Sequence, residues 1–178
     1  LHLDFVNPSS NPLEKSKKTY DFVAMVPLQV INSINHLNQI KKLIIGGAKL
    51  DQPIKELILK TKCQAFETYG MTETITHIAA KNISDEYFTT LPHAKISLDD
   101  RGCLVINAPS VNSETVVTND LVEIKGQNEF KWLGRIDNVI NSGGIKLFPE
   151  IIEEKLAHYI PYRFYVIGQK DETLGKKL

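Results

Sequence analysis

Two short apolar runs, each closed by a glycine turn and separated by an amphipathic stretch, constrain this chain more than any other feature. Leu43-Ile44-Ile45 ends in Gly46-Gly47-Ala48, and Gln64-Ala65-Phe66-Glu67 ends in Thr68-Tyr69-Gly70. Between them Asp51 stands where a helix cap belongs and Pro53 falls in the first turn, with Ile54, Leu57 and Ile58 as the apolar stripe. Strands joined by a crossover helix are parallel. Both glycine loops then sit at the C-terminal edge of one sheet, which is where open α/β sheets bind ligands.

Upstream, residues 1–20 have loop composition, with Asn7, Pro8, Ser9, Ser10, Asn11 and Pro12. Tyr20 to Val26 reads as a strand or a helix start. From Pro27 the spacing of Val30, Ile34, Leu37 and Lys41 predicts one helix, with Ile31 and Ile40 beside the stripe. Past residue 92 the pattern changes to short strands. Ala94–Leu98 and Cys103–Ile106 form a hairpin around Asp99-Asp100-Arg101-Gly102. Thr115–Thr118, Leu121–Ile124 and Phe130–Leu133 continue the meander, with a turn at Lys125–Asn128. Pro149 opens a final helix with Ile152, Leu156 and Ile160 on its stripe, and Phe164–Ile167 reads as a last strand.

The residues at the loop ends are suited to a nucleotide. Tyr69 offers a ring for stacking on a base. Gly70 lets the chain bend, Thr72 offers a hydroxyl to a phosphate oxygen, and Glu73 offers the hard oxygen that Mg2+ takes beside substrate phosphates. Asp120, after Thr118-Asn119, can accept from ribose hydroxyls, and Arg135 can bind ribose or phosphate through its fork of donors. Asn141-Ser142-Gly143-Gly144 reads as a flexible loop. Taken singly, Gly46-Gly47-Ala48 is a tight turn, Tyr69–Glu73 a capped strand end, and Thr118-Asn119-Asp120 a hairpin turn.

Other classes are disfavoured. Twenty-one Lys and Arg balance twenty-one Asp and Glu, so bulk charge does not point to nucleic acid or an anionic membrane. The cluster Lys15, Lys17, Lys18 reads as a solvated loop. Cys63 and Cys103 lack ligand-like spacing and fit a reducing compartment without structural zinc. No apolar run approaches the roughly 20 residues of a membrane helix, and a cytoplasmic location is expected.

In order and spacing, Gly46-Gly47-Ala48, Tyr69-Gly70-Met71-Thr72-Glu73-Thr74, Thr118-Asn119-Asp120, Gly134-Arg135-Ile136-Asp137, Ser142-Gly143-Gly144 and Phe148-Pro149-Glu150 resemble the acyl-adenylate-forming (AMP-binding) ligase superfamily. Within it, the compact style around Asp21–Val30 looks most like the bacterial o-succinylbenzoate–CoA ligases of menaquinone synthesis. The resemblance implies an α/β fold: part of the large adenylate-forming domain, a parallel sheet with helices plus a β-rich subdomain, followed by the start of a small α+β C-terminal domain. The implied division is 1–136 and 137–178.

The implied activity is ATP-dependent acid–CoA ligation. A carboxylate attacks the α-phosphorus of ATP, and the acyl-AMP is then opened by the thiol of CoA. The resemblance assigns Gly46, Gly47, Ala48, Tyr69, Gly70, Met71, Thr72, Asp120 and Arg135 to the nucleotide. Thr72, Glu73 and Arg135 are its catalytic set, and Glu73 its ligand for Mg2+. Asp137 is the hinge, and Ser142, Gly143 and Gly144 border the CoA channel. The implied partners are a small carboxylic acid, ATP and CoA, with neither nucleic acid nor membrane. A homodimer is compatible with the resemblance.

Three departures temper it. The family's phosphate-gripping loop, with its lysine, is not in this sequence. Asn119 stands where the family has glycine, a mild change because Asn tolerates left-handed backbone. Leu174-Gly175-Lys176 only imitates the context of the adenylation lysine, lying about 30 residues past Ser142–Gly144 where an α+β unit should intervene. The chain therefore reads as a piece of a longer protein, inactive alone. Two alternatives stay open: another adenylating ligase, for a fatty or amino acid, and a non-catalytic nucleotide-binding or interaction module.

Overall fold

A computed structural model describes residues 2–160, 162 and 164–178. The chain divides into two compact units, Leu1–Tyr69 with Ala80–Asp85 and Gly70–Ala79 with Glu86–Leu178.

The first unit is built on parallel strands. Its elements are β1 (Tyr20–Met25), α1 (Pro27–Asn32), a 3-10 turn (Ile34–Gln39), β2 (Ile40–Ile45), α2 (Gln52–Leu59) and β3 (Gln64–Gly70), and it includes the last residues of β4 (His77–Asn82). β1 pairs with β2 and β2 with β3, both in parallel, as the crossover argument requires. Met25, Leu43, Ile45 and Ala65 turn one face of the strands onto Val30, Leu37, Leu50 and Ile58, all nearly inaccessible to solvent. On the opposite face, the register row Ala24–Ile44–Phe66 and the neighbouring Phe22 leave apolar surface open, with Phe22 58% exposed.

Three readings of this unit need correction. The single helix expected from Pro27 ends at Asn32 and resumes as a 3-10 turn. The break is at Ser33, buried and donating its hydroxyl to Asn11 Oδ1 at 3.1 Å; such side chains compete with helical backbone bonds. Ile40 and Lys41 accordingly belong to β2. The segment 1–20 (Leu1 lies outside the described residues) is a loop, but its Leu13 is buried in the core, and Gln29 and Asn32 donate to the carbonyls of Ser9 and Ser10. Finally, α2 turns Ile54 and Ile58 of the expected stripe to the core but not Leu57. Leu57 is 46% exposed and Lys55 takes its place inside, 6% exposed.

The second unit is antiparallel. β5 (Phe88–Thr90), β6 (Lys95–Leu98), β7 (Cys103–Asn107), β8 (Val116–Lys125) and β9 (Glu129–Arg135) are arranged β5-β9-β8-β7-β6. Phe88 stacks on the buried Phe130 across β5 and β9, ring centroids 5.4 Å apart. The expected hairpin of β6 and β7 is present. Two expected strands, Thr115–Thr118 and Leu121–Ile124, merge from Val116 onward into β8, which absorbs the irregularity as a bulge between Leu121 and Val122 and needs no turn at Asn119. β4 and β5 lack a clear period-2 pattern and had no sequence reading.

The α+β segment follows, with β10 (Ile140–Ser142), β11 (Ile145–Leu147), α3 (Pro149–Leu156), β12 (Gln169–Asp171) and β13 (Gly175–Lys177), its strands arranged β11-β10-β13-β12. α3 stops short of Ile160, which precedes a proline in the sequence and so disfavours helical backbone. The strand expected over Phe164–Ile167 is not formed. Val166 instead donates its N–H to Glu153 Oε1 at 2.7 Å, and the pairing falls to β12 and β13. Among the described residues no helix is long and apolar enough to cross a membrane. Both cysteines are buried thiols, and burial pushes Cys63 up to about 11.

Candidate active site

The first unit supplies two adjacent loop ends. The last paired row of β2 and β3 is Ile45–Glu67, so Gly46 and Thr68 emerge side by side. Thr68 Oγ1 donates to the Ile45 carbonyl at 3.2 Å, and a Cβ on Gly46 would lie 2.7 Å from that hydroxyl. Only glycine fits there without displacing Thr68. Gly47 follows at φ 88°, a backbone open to glycine at no steric cost. Tyr69, half-buried, is the next-to-last residue of β3. Beneath these loops lies a pair that the sequence did not suggest. Lys55 Nζ sits 2.5 Å from Glu67 Oε1, with side chains 8% and 10% exposed. A lysine within an apolar helix stripe carried no signal.

The second unit holds the rest of the motif. Gly70 is dictated by the returning chain, since a Cβ there would lie 2.6 Å from the Thr76 carbonyl and 2.9 Å from His77 Cα. Thr72–Thr74 form one 3-10 turn. Thr74 is buried, and its hydroxyl accepts from Met71 N–H at 3.0 Å. Thr72 and Glu73 are exposed at the surface of this turn, and the Glu73 carbonyl accepts from Asn112 Nδ2 at 2.9 Å. Ile75 follows at φ 61°, ψ −38°, closing a γ-turn in which Thr76 N–H meets the Thr74 carbonyl at 2.5 Å. That hand of γ-turn is rare and strained.

Asp120 and Arg135, distant in sequence, are cross-strand partners of β8 and β9. Partners in an antiparallel pair project to the same face. Asp120 is 8% exposed and donates its N–H to Thr118 Oγ1 at 3.0 Å, while the Arg135 side chain is 51% exposed. Arg135 Nη2 lies 3.1 Å from Asp137 Oδ2, and Asn119 Nδ2 donates to the same oxygen at 3.2 Å. Arg101 in turn donates to Asn119 Oδ1 at 3.0 Å and to the Thr118 carbonyl at 2.9 Å. Its bond to Asp99 raises the guanidinium above its usual value, with a smaller push from Asp137. Asn119, read as a mild departure, thus bonds the residue assigned as hinge.

Glu150, from the first turn of α3, closes over the same segment. Its Oε1 accepts from Asn138 Nδ2 at 2.6 Å, and its carboxylate fills the space a side chain at Gly134 would need. Ser142-Gly143-Gly144 is a tight hairpin and not a flexible loop. Ser142 pairs with Ile145 across a two-residue turn, Gly143 and Gly144 at φ 56° and 87°, the combination of a type I′ turn. Gly143 N–H is held by the Leu174 carbonyl at 2.9 Å.

No family model matches the chain. It is 25% identical over 182 residues to the 2-succinylbenzoate–CoA ligase of Bacillus cytotoxicus, an alignment spanning 84% of this chain and 37% of the relative. It is 29% identical over 127 residues, 66% of this chain and 29% of the relative, to the 3,4-dihydroxybenzoate–[aryl-carrier protein] ligase of Bacillus anthracis. A solved acyl-CoA synthetase (AMP-forming)/AMP-acid ligase II-like protein from Dyadobacter fermentans superposes with a TM-score of 0.70 at 37% identity, covering 97% of this chain and 53% of that one. In sequence and in fold the chain is similar to acyl-adenylate-forming ligases. This chain spans about a third of the curated relatives it matches. Among the described residues, no three His, Cys, Asp or Glu side chains gather as a metal site. A single exposed carboxylate such as Glu73 fits Mg2+, which keeps water and substrate phosphates as its other ligands.

Proposed function

We propose that the polypeptide carrying this chain is an ATP-dependent acid–CoA ligase, with o-succinylbenzoate as its acid. The observation that carries the reading is the register of Asp120 with Arg135, which sets an acceptor and a forked donor on one face of β8 and β9. That pair suits the two hydroxyls of a ribose and the phosphate attached to it. Tyr69 stacks on the base, Thr72 bonds the α-phosphate, and Gly46–Ala48 admit the nucleotide to the backbone. Glu73 would hold Mg2+, whose charge offsets that of the phosphates. The segment from Asp137 onward is the small domain, turning about that residue between the two half-reactions, and Ser142–Gly144 border the CoA thiol's approach. The likeness to the Bacillus cytotoxicus ligase supports this choice of acid.

A second reading transfers the acyl group to a carrier-protein thiol, and the likeness to the aryl-carrier-protein ligase favours it. Pyrophosphate release by the whole polypeptide with ATP, Mg2+ and o-succinylbenzoate, followed by thioester formation with CoA, tests the first reading. Adenylation without any CoA thioester moves the assignment to the second. The 178-residue chain alone should release no pyrophosphate, because neither the phosphate-gripping loop nor an adenylation lysine is in its sequence. Turnover by the chain alone that vanishes in Lys176→Ala would assign that lysine the catalytic role denied to it here.

A further inference from the structure

α2 seats Ile58, with Ile54 beside it, against the core, yet Lys55 is buried there as well, 6% exposed, while Leu57 and Leu59 are 46% and 54% exposed. The lysine lies at the end of the first helical turn, where the helix macrodipole disfavours a cation. Its partner Glu67 is buried too, at 2.5 Å. Buried ion pairs are often no more stabilising than apolar pairs of the same volume, so burial of α2 against β3 does not by itself explain this choice. What a buried ion pair adds is position, because separating the two leaves an uncompensated charge away from water, a far larger loss than shifting an apolar contact.

Glu67 occupies the last paired row of β2 and β3, one residue before both loops begin. Tyr69 is two residues on and so projects to the same face. On the other face Thr68 is tied to the Ile45 carbonyl and packs into the space left by Gly46. The loop edge is thereby fastened on both faces, on one by a neutral hydrogen bond and on the other by a charged pair anchored in the crossover helix. We propose that Lys55 and Glu67 are a positioning pair that sets Tyr69 and the Gly46–Ala48 loop for nucleotide binding, which rests on the nucleotide reading above. Neither residue touches the nucleotide; both act through β3.

The test uses the whole polypeptide, with melting temperature and calorimetric ATP affinity measured on each variant. Lys55→Met and Glu67→Gln each lower the melting temperature and weaken ATP. The double variant Lys55→Met/Glu67→Leu regains the melting temperature, but its ATP affinity stays about 10-fold to 100-fold below the unaltered protein, the range for losing a group that orients a ligand-holding side chain. The reversed pair, Lys55→Glu/Glu67→Lys, recovers part of both. An apolar double variant with unaltered ATP affinity overturns the proposal, leaving the pair a packing device. If that variant does not fold, Glu67→Gln decides at a temperature where it is fully folded, unaltered affinity again overturning the proposal. If Tyr69→Ala and Asp120→Ala both bind ATP like the unaltered protein, the nucleotide reading has failed, and the positioning pair falls with it. Weakening in those two beside an unaffected apolar double variant separates the two failures.

Discussion

Asp120 and Arg135 face each other across the last row of the β8–β9 ladder, 15 residues apart in sequence but direct partners in register. The acid is nearly buried and the base half-exposed, its Nη2 resting on Asp137 Oδ2, so the pair sets an acceptor beside a forked donor. If this face holds the ribose, Asp120→Ala should weaken ATP binding by the whole polypeptide by about 1.5–3 kcal/mol, the range for a hydrogen bond to a charged group. Calorimetry is the measurement, and unchanged affinity removes the ribose assignment.

Glu73 is presented differently. It sits on a single 3-10 turn whose inner side is held by the buried Thr74, and its carboxylate side chain is exposed. Removing its charge should therefore spare the fold. Glu73→Gln is expected to lower pyrophosphate release on the order of 100-fold, as for loss of a group stabilising transferring charge, with the melting temperature nearly unchanged. Parallel losses of rate and stability would make the carboxylate structural.

How legible was all this? The parallel strands, the crossover helix and the glycine loops could be read because apolar runs bounded by glycine leave few alternatives. The order of the motifs was legible for the same reason. Three things were not. Ser33 breaks the first helix through a bond to Asn11, 22 residues away, and no local pattern records such a partner. Lys55 is drawn into the core and Leu57 left outside because Glu67 waits on β3, so the periodicity of α2 places Ile54 and Ile58 but misses the lysine between them. Asn119 read as a turn residue because it lies between two apolar runs, whereas β8 carries it through with a bulge one residue beyond Asp120.

The hairpin of β12 and β13 should depend on pH. Asp171 accepts from the Leu174 N–H, pairs with Lys177 and accepts from the Thr173 N–H, and in that order these hold its carboxyl below the usual 3.8. A carboxyl with a lowered folded value stabilises the fold fully above its ordinary value, and that contribution is lost as pH falls through the lowered one. Amide exchange at Thr173 and Leu174, corrected for intrinsic rates, should therefore show protection at about pH 5 that fades toward about pH 2. In Asp171→Asn the fading should disappear. Persistence of the same pH dependence in that variant would place its origin in another group.

Ile75 sets stability against function. A β-branched residue at φ 61° is a steric outlier, and its side chain is 77% exposed, so it recovers little through burial. Strain of this kind is worth about 1–3 kcal/mol, against roughly 0.5–1 kcal/mol of extra chain entropy that a glycine loses on folding. Ile75→Gly should then raise the stability of the whole polypeptide by up to about 2 kcal/mol, measured by denaturant unfolding. The same turn presents Thr72 and Glu73, and the strand returning from it leaves no room for a side chain at Gly70. A glycine at position 75 loosens that presentation, so adenylation should slow while stability rises, the usual trade where a strained loop serves a site. A variant that is less stable than the unaltered protein would show that the γ-turn is not strained. One that is more stable yet adenylates at the unaltered rate would show that the strain serves neither Thr72 nor Glu73.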